Sequence, residues 1–370
     1  MLTPDIDQEY MRLALKEARK GIGRTSPNPC VGAVVVRENV PIARGYHKKA
    51  GTPHAEVHAL RKAGVLAQGA TLYVTLEPCN HIGRTPPCTK AIIASGIKRV
   101  VVGMEDPNPL VHGSGIKYLQ SQGVEVVSGV LAAECHALNR PFIKYITQGL
   151  PWVVMKAGMS LDGRITYQQN QSGWMTGPAS SLKVHRLRDR VDAILVGATT
   201  VRIDDPSLTT RLPHRQGRDP LRVILDTHLS IPASSKILLL ESSSPTWIFC
   251  GFDVSSDKIE KIKKTDKVIV RQVGCDEDGR LELRQVLTVL ARDAGVTSLL
   301  VEGGSTVHGA FLRQKLVDHV MFFIAPIFAG SHGTAVVDGL NITDQQDAVR
   351  LQNVNYRRLG SDILVEGDIL

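Results

Sequence analysis

The sequence predicts an α/β protein of two domains, on three observations. At 370 residues the chain is too long for one typical hydrophobic core. Apolar, β-branched runs alternate with helix-periodic stretches at short intervals, the pattern of layered α/β domains. The segment TQGLPW (147–152) supplies the Gly and Pro of a boundary, and a fresh set of strands follows it. The expected domains are 1–147 and 148–370.

In the first domain, residues 8–19 place Tyr10, Leu13, Ala14 and Ala18 near helical spacing, and Gly21 can stop that helix. VGAVVV (31–36) reads as a buried strand with PIARGYH returning beside it. HAEVHALRKAG predicts a helix closed by Gly64, followed by a strand at ATLYVTL and a helix from about Cys88 to Ser95. RVVVGM, GIKYLQSQG and VEVVSGV then read as strand, helix and strand. In the second domain the expected strands are VVMKAGM, AILVGA, LRVILD, TWIFC, KVIVRQV, SLLVEGG and HVMFFIAPI, with helices around 178–190 and 281–293.

Composition excludes some classes. The 43% hydrophobic and 22% charged fractions are those of a globular protein. The N-terminus lacks the apolar core of a signal peptide, and no stretch approaches the roughly 18 apolar residues of a membrane span. A cytoplasmic protein with no membrane partner is expected. The six cysteines are too sparse for a disulfide framework, so a metal can compete for some of them. The net charge of +8 suits nucleic acid or anionic phosphorylated small molecules equally. Its densest basic run, KIEKIKK (258–264), reads as a solvated helix face.

The strongest chemical signal is His54-Ala55-Glu56 followed by Pro78-Cys79 and Cys88. One imidazole and two thiolates make a three-ligand zinc set that leaves a position for water, whose pKa the metal lowers. Glu56 is then free to move protons from that water to a leaving amine. His54 and Cys88 each stand at a helix start, where partial positive charge favours thiolate. The pattern matches the H-x-E half of the zinc base-deaminase signature, whose second half is P-C-x-x-C. Here eight residues, NHIGRTPP, separate the cysteines instead of two. His58 gives HAEVH, but Glu stands second after His54 rather than first, so a metalloprotease motif is not met. A single cysteine is more often packing than ligand, yet a structural zinc needs a fourth protein ligand and none is evident.

The ligands alone do not name the substrate. The words around them are more specific: Pro27-Asn28-Pro29, Val31-Gly32, Gly45-Tyr46-His47, Ala50-Gly51, Pro53-His54-Ala55-Glu56, and the run from Glu77 through Cys88. With Asp106-Pro107-Asn108-Pro109 and Gly113-Ser114-Gly115, they closely resemble the deaminase half of the bifunctional riboflavin-biosynthesis family RibD, in which the eight-residue gap is a regular feature. Cys30 departs from the family's usual Asn and reads as packing. The resemblance implies a cytidine-deaminase-like three-layer domain and hydrolytic loss of the 2-amino group from a diaminopyrimidinone ribosylamino 5′-phosphate. Asn28 can offer a donor and an acceptor to a heterocycle edge, and His47, His81, Arg84 and Thr85 are candidate phosphate partners. GIGRTS at Gly21 follows a helix, not a strand, and is no nucleotide loop.

The second domain has no G-x-G-x-x-G. Its most telling segment is Leu299-Leu300-Val301-Glu302-Gly303-Gly304-Ser305-Thr306, a strand running into paired glycines, hydroxyls and a helix from about Val307. A structural tight turn accounts for it equally well. With Lys156 to Arg164, Ser172-Gly173-Trp174 and Thr200-Val201-Arg202-Ile203-Asp204-Asp205-Pro206, it resembles the reductase half of the same family, a fold related to dihydrofolate reductase. The resemblance implies NADPH reduction of 5-amino-6-(5-phosphoribosylamino)uracil. Carried over by motif, Gly158, Trp174, Thr200, Asp204, Gly304, Ser305, Thr306, Val307, His308, Gly309 and Ala310 would hold NADPH. Ser172, Arg188, Leu208, Arg211 and Glu302 would face substrate, and Lys156 and Asp204 would assist proton movement. The resemblance also implies one zinc per chain and a homo-oligomer, dimer or tetramer.

Two rival readings remain open at this stage. An RNA deaminase suits the basic charge, although the second domain lacks an RNP, KH or zinc-finger pattern. A zinc-stabilised interaction protein suits the ligands, but would have no use for Glu56 beside them.

Overall fold

A computed structural model describes residues 4–81, 86–108, 112–263 and 265–370. These form two compact units divided between Leu150 and Pro151. The division follows from the chain: a long helix runs to Gln148, Gly149 closes it in the left-handed region (φ 67°), and Pro151 cannot continue it.

The N-terminal unit contains α1 (Pro4–Ala18), β1 (Gly32–Arg37), β2 (Val40–Tyr46), α2 (Ala55–Ala63), β3 (Thr71–Leu76), α3 (Cys88–Ala94), β4 (Arg99–Met104), α4 (Ser114–Ser121), β5 (Glu125–Ser128) and α5 (Ala132–Gln148). Its sheet has the order β2-β1-β3-β4-β5, with β1 antiparallel to both neighbours and β3, β4 and β5 parallel. Two glycines explain how helices cover both faces. A Cβ on Gly32 would lie 2.0 Å from the Ala14 carbonyl of α1, and one on Gly45 would lie 2.4 Å from the Ala55 carbonyl of α2. Gly45 pairs with Ala33, the residue after Gly32, so the two close approaches fall on opposite faces. The result is three layers around a core that includes Met11, Val34, Leu72, Tyr73, Ile92 and Val101.

Within that core Asp7 of α1 accepts two hydrogen bonds from Arg99 of β4, at 2.9 and 2.8 Å, and one from Tyr73 at 2.8 Å. The Arg99 hydrogen bonds hold the Asp7 carboxyl below its usual range against the opposing effect of burial. Such a group stabilises the fold above its ordinary pKa and loses that contribution as pH falls. Asp7→Asn is therefore expected to cost about 1.5–3 kcal/mol at neutral pH. Urea titrations of the N-terminal unit's signal at pH 7 and pH 3 should show the gap to the wild type narrowing in acid.

The C-terminal unit contains β6 (Trp152–Met159), α6 (Pro178–Arg188), β7 (Ala193–Gly197), α7 (Ala198–Asp204), β8 (Leu221–Leu225), α8 (Lys236–Leu239), β9 (Thr246–Cys250), α9 (Ser256–Ile262), β10 (Val268–Gln272), α10 (Leu283–Ala294), β11 (Ser298–Val301), α11 (Ser305–Arg313), β12 (His319–Ile324), β13 (Leu351–Leu359) and β14 (Asp362–Ile369). Among the described residues its sheet has nine strands in the order β10-β9-β8-β7-β11-β6-β12-β14-β13. The strands from β10 to β12 are parallel, while β14 and β13 close one edge as an antiparallel hairpin. Every apolar run that the sequence reads as a strand forms one. The described part of the basic run 258–264 lies on and just after α9, largely exposed.

Candidate active sites

In the N-terminal unit the sheet brings three segments to one place. His54 caps the start of α2, Cys79 follows β3, and Cys88 opens α3. Their ligand atoms all lie within 4.8 Å of one another. His54 Nδ1 is 3.1 Å from Cys88 Sγ and 3.5 Å from Cys79 Sγ, while the Cys88 amide donates to Cys79 Sγ at 3.4 Å. The hydrogen bond from the Cys88 thiol pulls the Cys79 thiol down, with burial opposing it and His54 assisting. The same contact, seen from the other sulfur, pushes Cys88 up. One nitrogen and two sulfurs at this spacing fit zinc.

Glu56 lies on the first turn of α2 and is 3% exposed. Its Oε2 has no hydrogen-bond partner, and burial raises its pKa. A buried carboxyl with an idle oxygen beside this donor set is poised to take and release protons. Nearby, His47 is buried, and burial keeps its pKa low. With Nδ1 3.3 Å from the Pro53 carbonyl, the ring donates there, and Nε2 accepts from Asn28 Nδ2 at 3.1 Å. His47 and His54 meet edge to face at 5.3 Å. Of the other expected contacts, His81 is exposed, whereas Arg84 and Thr85 lie outside the described residues.

One residue of this site escaped the sequence reading. Glu77 is buried and accepts four backbone hydrogen bonds, from Asp106 and Gly113 on Oε2 and from Gly115 and Ile116 on Oε1. It ties the strand end that bears Cys79 to the start of α4. It stands within the motif EPCN, but only the fold shows what it holds.

In the C-terminal unit, the C-terminal ends of β6, β11, β7 and β8 lie in a row because these strands are parallel and adjacent. A cleft of about 790 Å³ runs along part of this row. Thr200, Asp204, Gly304, Ser305, Thr306, Val307 and Ala310 line it, as the sequence led one to expect. His308 and Gly309 do not. The His308 ring is buried, Nδ1 lies 3.0 Å from the Val336 carbonyl, and burial lowers its pKa to about 4, so it is a neutral packing group. Gly309 backs onto the Asp338 carbonyl. The inner face of α11, not its cleft face, carries both.

Glu302, 7% exposed, forms a charge cluster next to the Gly303-Gly304 turn. Its carboxylate accepts from Arg188 Nε and Nη2, each at 2.8 Å, and lies 3.5 Å from Lys156 Nζ. Burial alone would raise its pKa, but the Arg188 and Lys156 charges outweigh that and hold it at about 2. Leu208 is buried in the hydrophobic core instead of facing a cavity. Arg211 is exposed on the loop 209–219, its amide bonded to His185 Nδ1 at 3.2 Å. Trp174 is 68% exposed with its indole nitrogen donating to the Thr176 carbonyl, so it is not a core residue. Thr176 also faces Gly158, and Ser172 is exposed.

Comparison with known proteins decides the family. Residues 4–104 match the cytidine and deoxycytidylate deaminase zinc-binding region, and residues 151–365 match the RibD C-terminal domain. The chain is 43% identical to the riboflavin biosynthesis protein RibD of Bacillus amyloliquefaciens, covering 97% of this chain and 95% of that one. It belongs to the RibD family. The RibD of Aquifex aeolicus is 42% identical over 98% of both chains. Among solved structures, Acinetobacter baumannii RibD superposes with a TM-score of 0.90 at 34% identity, covering both chains entirely. A Thermotoga maritima protein described as a diaminohydroxyphosphoribosylaminopyrimidine deaminase/5-amino-6-(5-phosphoribosylamino)uracil reductase gives 0.86 at 37% identity over 99% of each chain.

As a RibD family member the chain is a bifunctional deaminase and reductase of riboflavin biosynthesis. Its first unit is the cytidine-deaminase-like zinc-binding domain, and its second the dihydrofolate-reductase-like reductase domain, of a type that uses NADPH. The RNA-deaminase and structural-zinc readings are set aside by this match. Among the described residues no helix is long and apolar enough to cross a membrane.

Proposed function

We propose that the chain removes the 2-amino group of 2,5-diamino-6-ribosylamino-4(3H)-pyrimidinone 5′-phosphate and then reduces the ribosyl group of the resulting uracil. The observation that carries the first step is Glu56, buried with an idle oxygen beside three convergent zinc donors. His54, Cys79 and Cys88 would hold one zinc per chain, which would lower the pKa of water to near neutral pH. Glu56 takes a proton from the attacking water. The new C–O bond forms at the ring carbon, the C–N bond breaks, and Glu56 delivers the proton to the departing ammonia. Asn28, its amide nitrogen committed to His47, accepts from the heterocycle edge with its carbonyl oxygen. His47 orients Asn28, leaving His81, Arg84 and Thr85 to the phosphate.

In the second unit Gly158, Trp174, Thr200, Asp204 and the cleft face of Gly304 to Ala310 would hold NADPH, which would supply the hydride. The C1′–O4′ bond breaks as the hydride is added at C1′, and the ring oxygen leaves as a hydroxyl bearing a proton that Lys156 would donate. Glu302 keeps Lys156 and Arg188 in place; Arg188, Arg211 and Ser172 face the substrate. This reading moves His308, Gly309 and Leu208 from ligand contacts to the packing behind them. The six free cysteines suit a cytoplasmic, reducing setting. The exposed outer strand β13 suits a homo-oligomer, dimer or tetramer, which light scattering measures.

Metal removal separates the two activities. Stripping zinc with a chelator is expected to abolish ammonia release from the diaminopyrimidine nucleotide. NADPH oxidation on the supplied uracil intermediate should continue within about twofold of the untreated rate, since no ligand of the metal lies in the second unit. Parallel loss of both activities would overturn the assignment of separate sites.

A further inference from the structure

The reductase cleft extends past the groups assigned above. Beyond Thr200 and Ser305 it reaches the C-terminal end of β8, where Asp226, Thr227, His228 and Ser230 line it together with Arg202 and Arg280. The sheet order explains the geometry. The paired glycines and the start of α11 follow β11, β7 is next to β11, and β8 is next to β7. A dinucleotide with its diphosphate near the start of α11 and its reactive ring toward β6 would extend its adenosine half over β7 and β8.

In doubly wound dinucleotide-binding folds an acidic side chain after a strand commonly accepts from the ribose hydroxyls of NAD, whereas an arginine accommodates the 2′-phosphate of NADP. Asp226 has the sequence position of the first kind but is committed elsewhere. It is 3% exposed, Oδ1 accepts from Ser230 Oγ at 2.9 Å, and Oδ2 accepts from the Ile231 amide at 2.8 Å. Both carboxylate oxygens are thus engaged in folding the loop after β8.

What the cleft presents is Arg202. Its Nη1 donates to Ser230 Oγ at 2.5 Å and its Nη2 to Thr199 Oγ1 at 3.0 Å, and both Arg202 and Ser230 are exposed. The guanidinium is therefore oriented by two hydroxyls, with Nε and the second hydrogens of both terminal nitrogens still available. A planar fork fixed in this way is preorganised for a phosphate group. Asp226, by drawing on the Ser230 hydroxyl, helps set the loop against which the fork rests.

We propose that Arg202, oriented by Ser230 and Thr199, receives the 2′-phosphate of NADPH and sets the enzyme's preference for it over NADH. This rests on the NADPH-reductase reading above, and equilibrium binding to the full chain without substrate tests the two apart. Wild-type enzyme should bind NADPH much more tightly than NADH, and should bind 2′,5′-ADP more tightly than 5′-AMP. Arg202→Ala should weaken NADPH and 2′,5′-ADP by about 10- to 100-fold and leave NADH and 5′-AMP within twofold. Arg202→Lys, which keeps the charge but not the fork, should retain an intermediate preference. Arg202→Ala binding NADPH as the wild type does, or losing NADH in parallel, would overturn the assignment. So would a wild type that binds both cofactors equally. A wild type that binds neither nucleotide would instead overturn the reductase reading on which the assignment rests.

Discussion

Glu56→Gln is expected to lower deaminase turnover by about 10²- to 10⁴-fold while zinc content stays at the wild-type level. Gln has nearly the shape of Glu but cannot carry a proton between water and amine. The side chain is buried and its Oε2 has no hydrogen-bond partner, so the exchange breaks no hydrogen bond at that oxygen. Ammonia release and metal content, measured on one preparation, separate loss of proton transfer from loss of metal. A variant that deaminates like the wild type would remove Glu56 from the mechanism, and a variant without zinc would make it a positioning group.

The second large effect is expected at Glu302. Arg188 and Lys156 are both mostly buried and share its carboxylate, so Glu302→Gln leaves two cations facing one neutral amide. Breaking a buried ion pair from one side costs about 3–5 kcal/mol, which should appear as a lower unfolding midpoint for the C-terminal unit. Reductase kcat/KM should fall by about 10- to 100-fold as Arg188 loses its orientation, with deamination unchanged. The sign of the pH effect is also set. Burial favours the protonated acid, but Arg188 and Lys156 prevail and hold Glu302 at about 2 in place of its usual 4.5. The cluster's stabilisation is thus complete above about pH 4.5 and is lost as pH falls toward 2. The variant should lack this acid-dependent component in denaturation measured across that range.

Much of this was legible because strands and metal ligands announce themselves locally. VGAVVV and RVVVGM are apolar on both faces, as strands covered by helices on both sides must be, and H-x-E with two cysteines carries its chemistry in residue type. What stayed hidden was directional. Helix α5 was not anticipated, since Pro141 interrupts its pattern, and the hairpin β13–β14 was missed because β13 is exposed on both faces and shows no apolar alternation. His308 and Gly309 share a motif with Thr306 and Ala310, yet periodicity along α11 turns them inward. Leu208 sits in the left-handed region (φ 51°) and packs into the core, a conformation its neighbours in sequence do not reveal. Glu77 and Asp226 are the same lesson for charge: each carboxylate is used on backbone amides far or near along the chain, which no spacing rule encodes.

The four amide donors on Glu77 bear on how the metal arrives. In a small zinc finger the ligands come together only as the metal binds, so the ion and the fold are inseparable. Here the cysteine-bearing strand end is moored to α4 by protein hydrogen bonds alone, and the sheet and core do not pass through the metal. The ion therefore enters a harbour already built. Zinc then adds to the stability of a fold that does not depend on it, and the domain is expected to keep its circular-dichroism spectrum when the zinc is stripped and to take the ion up again.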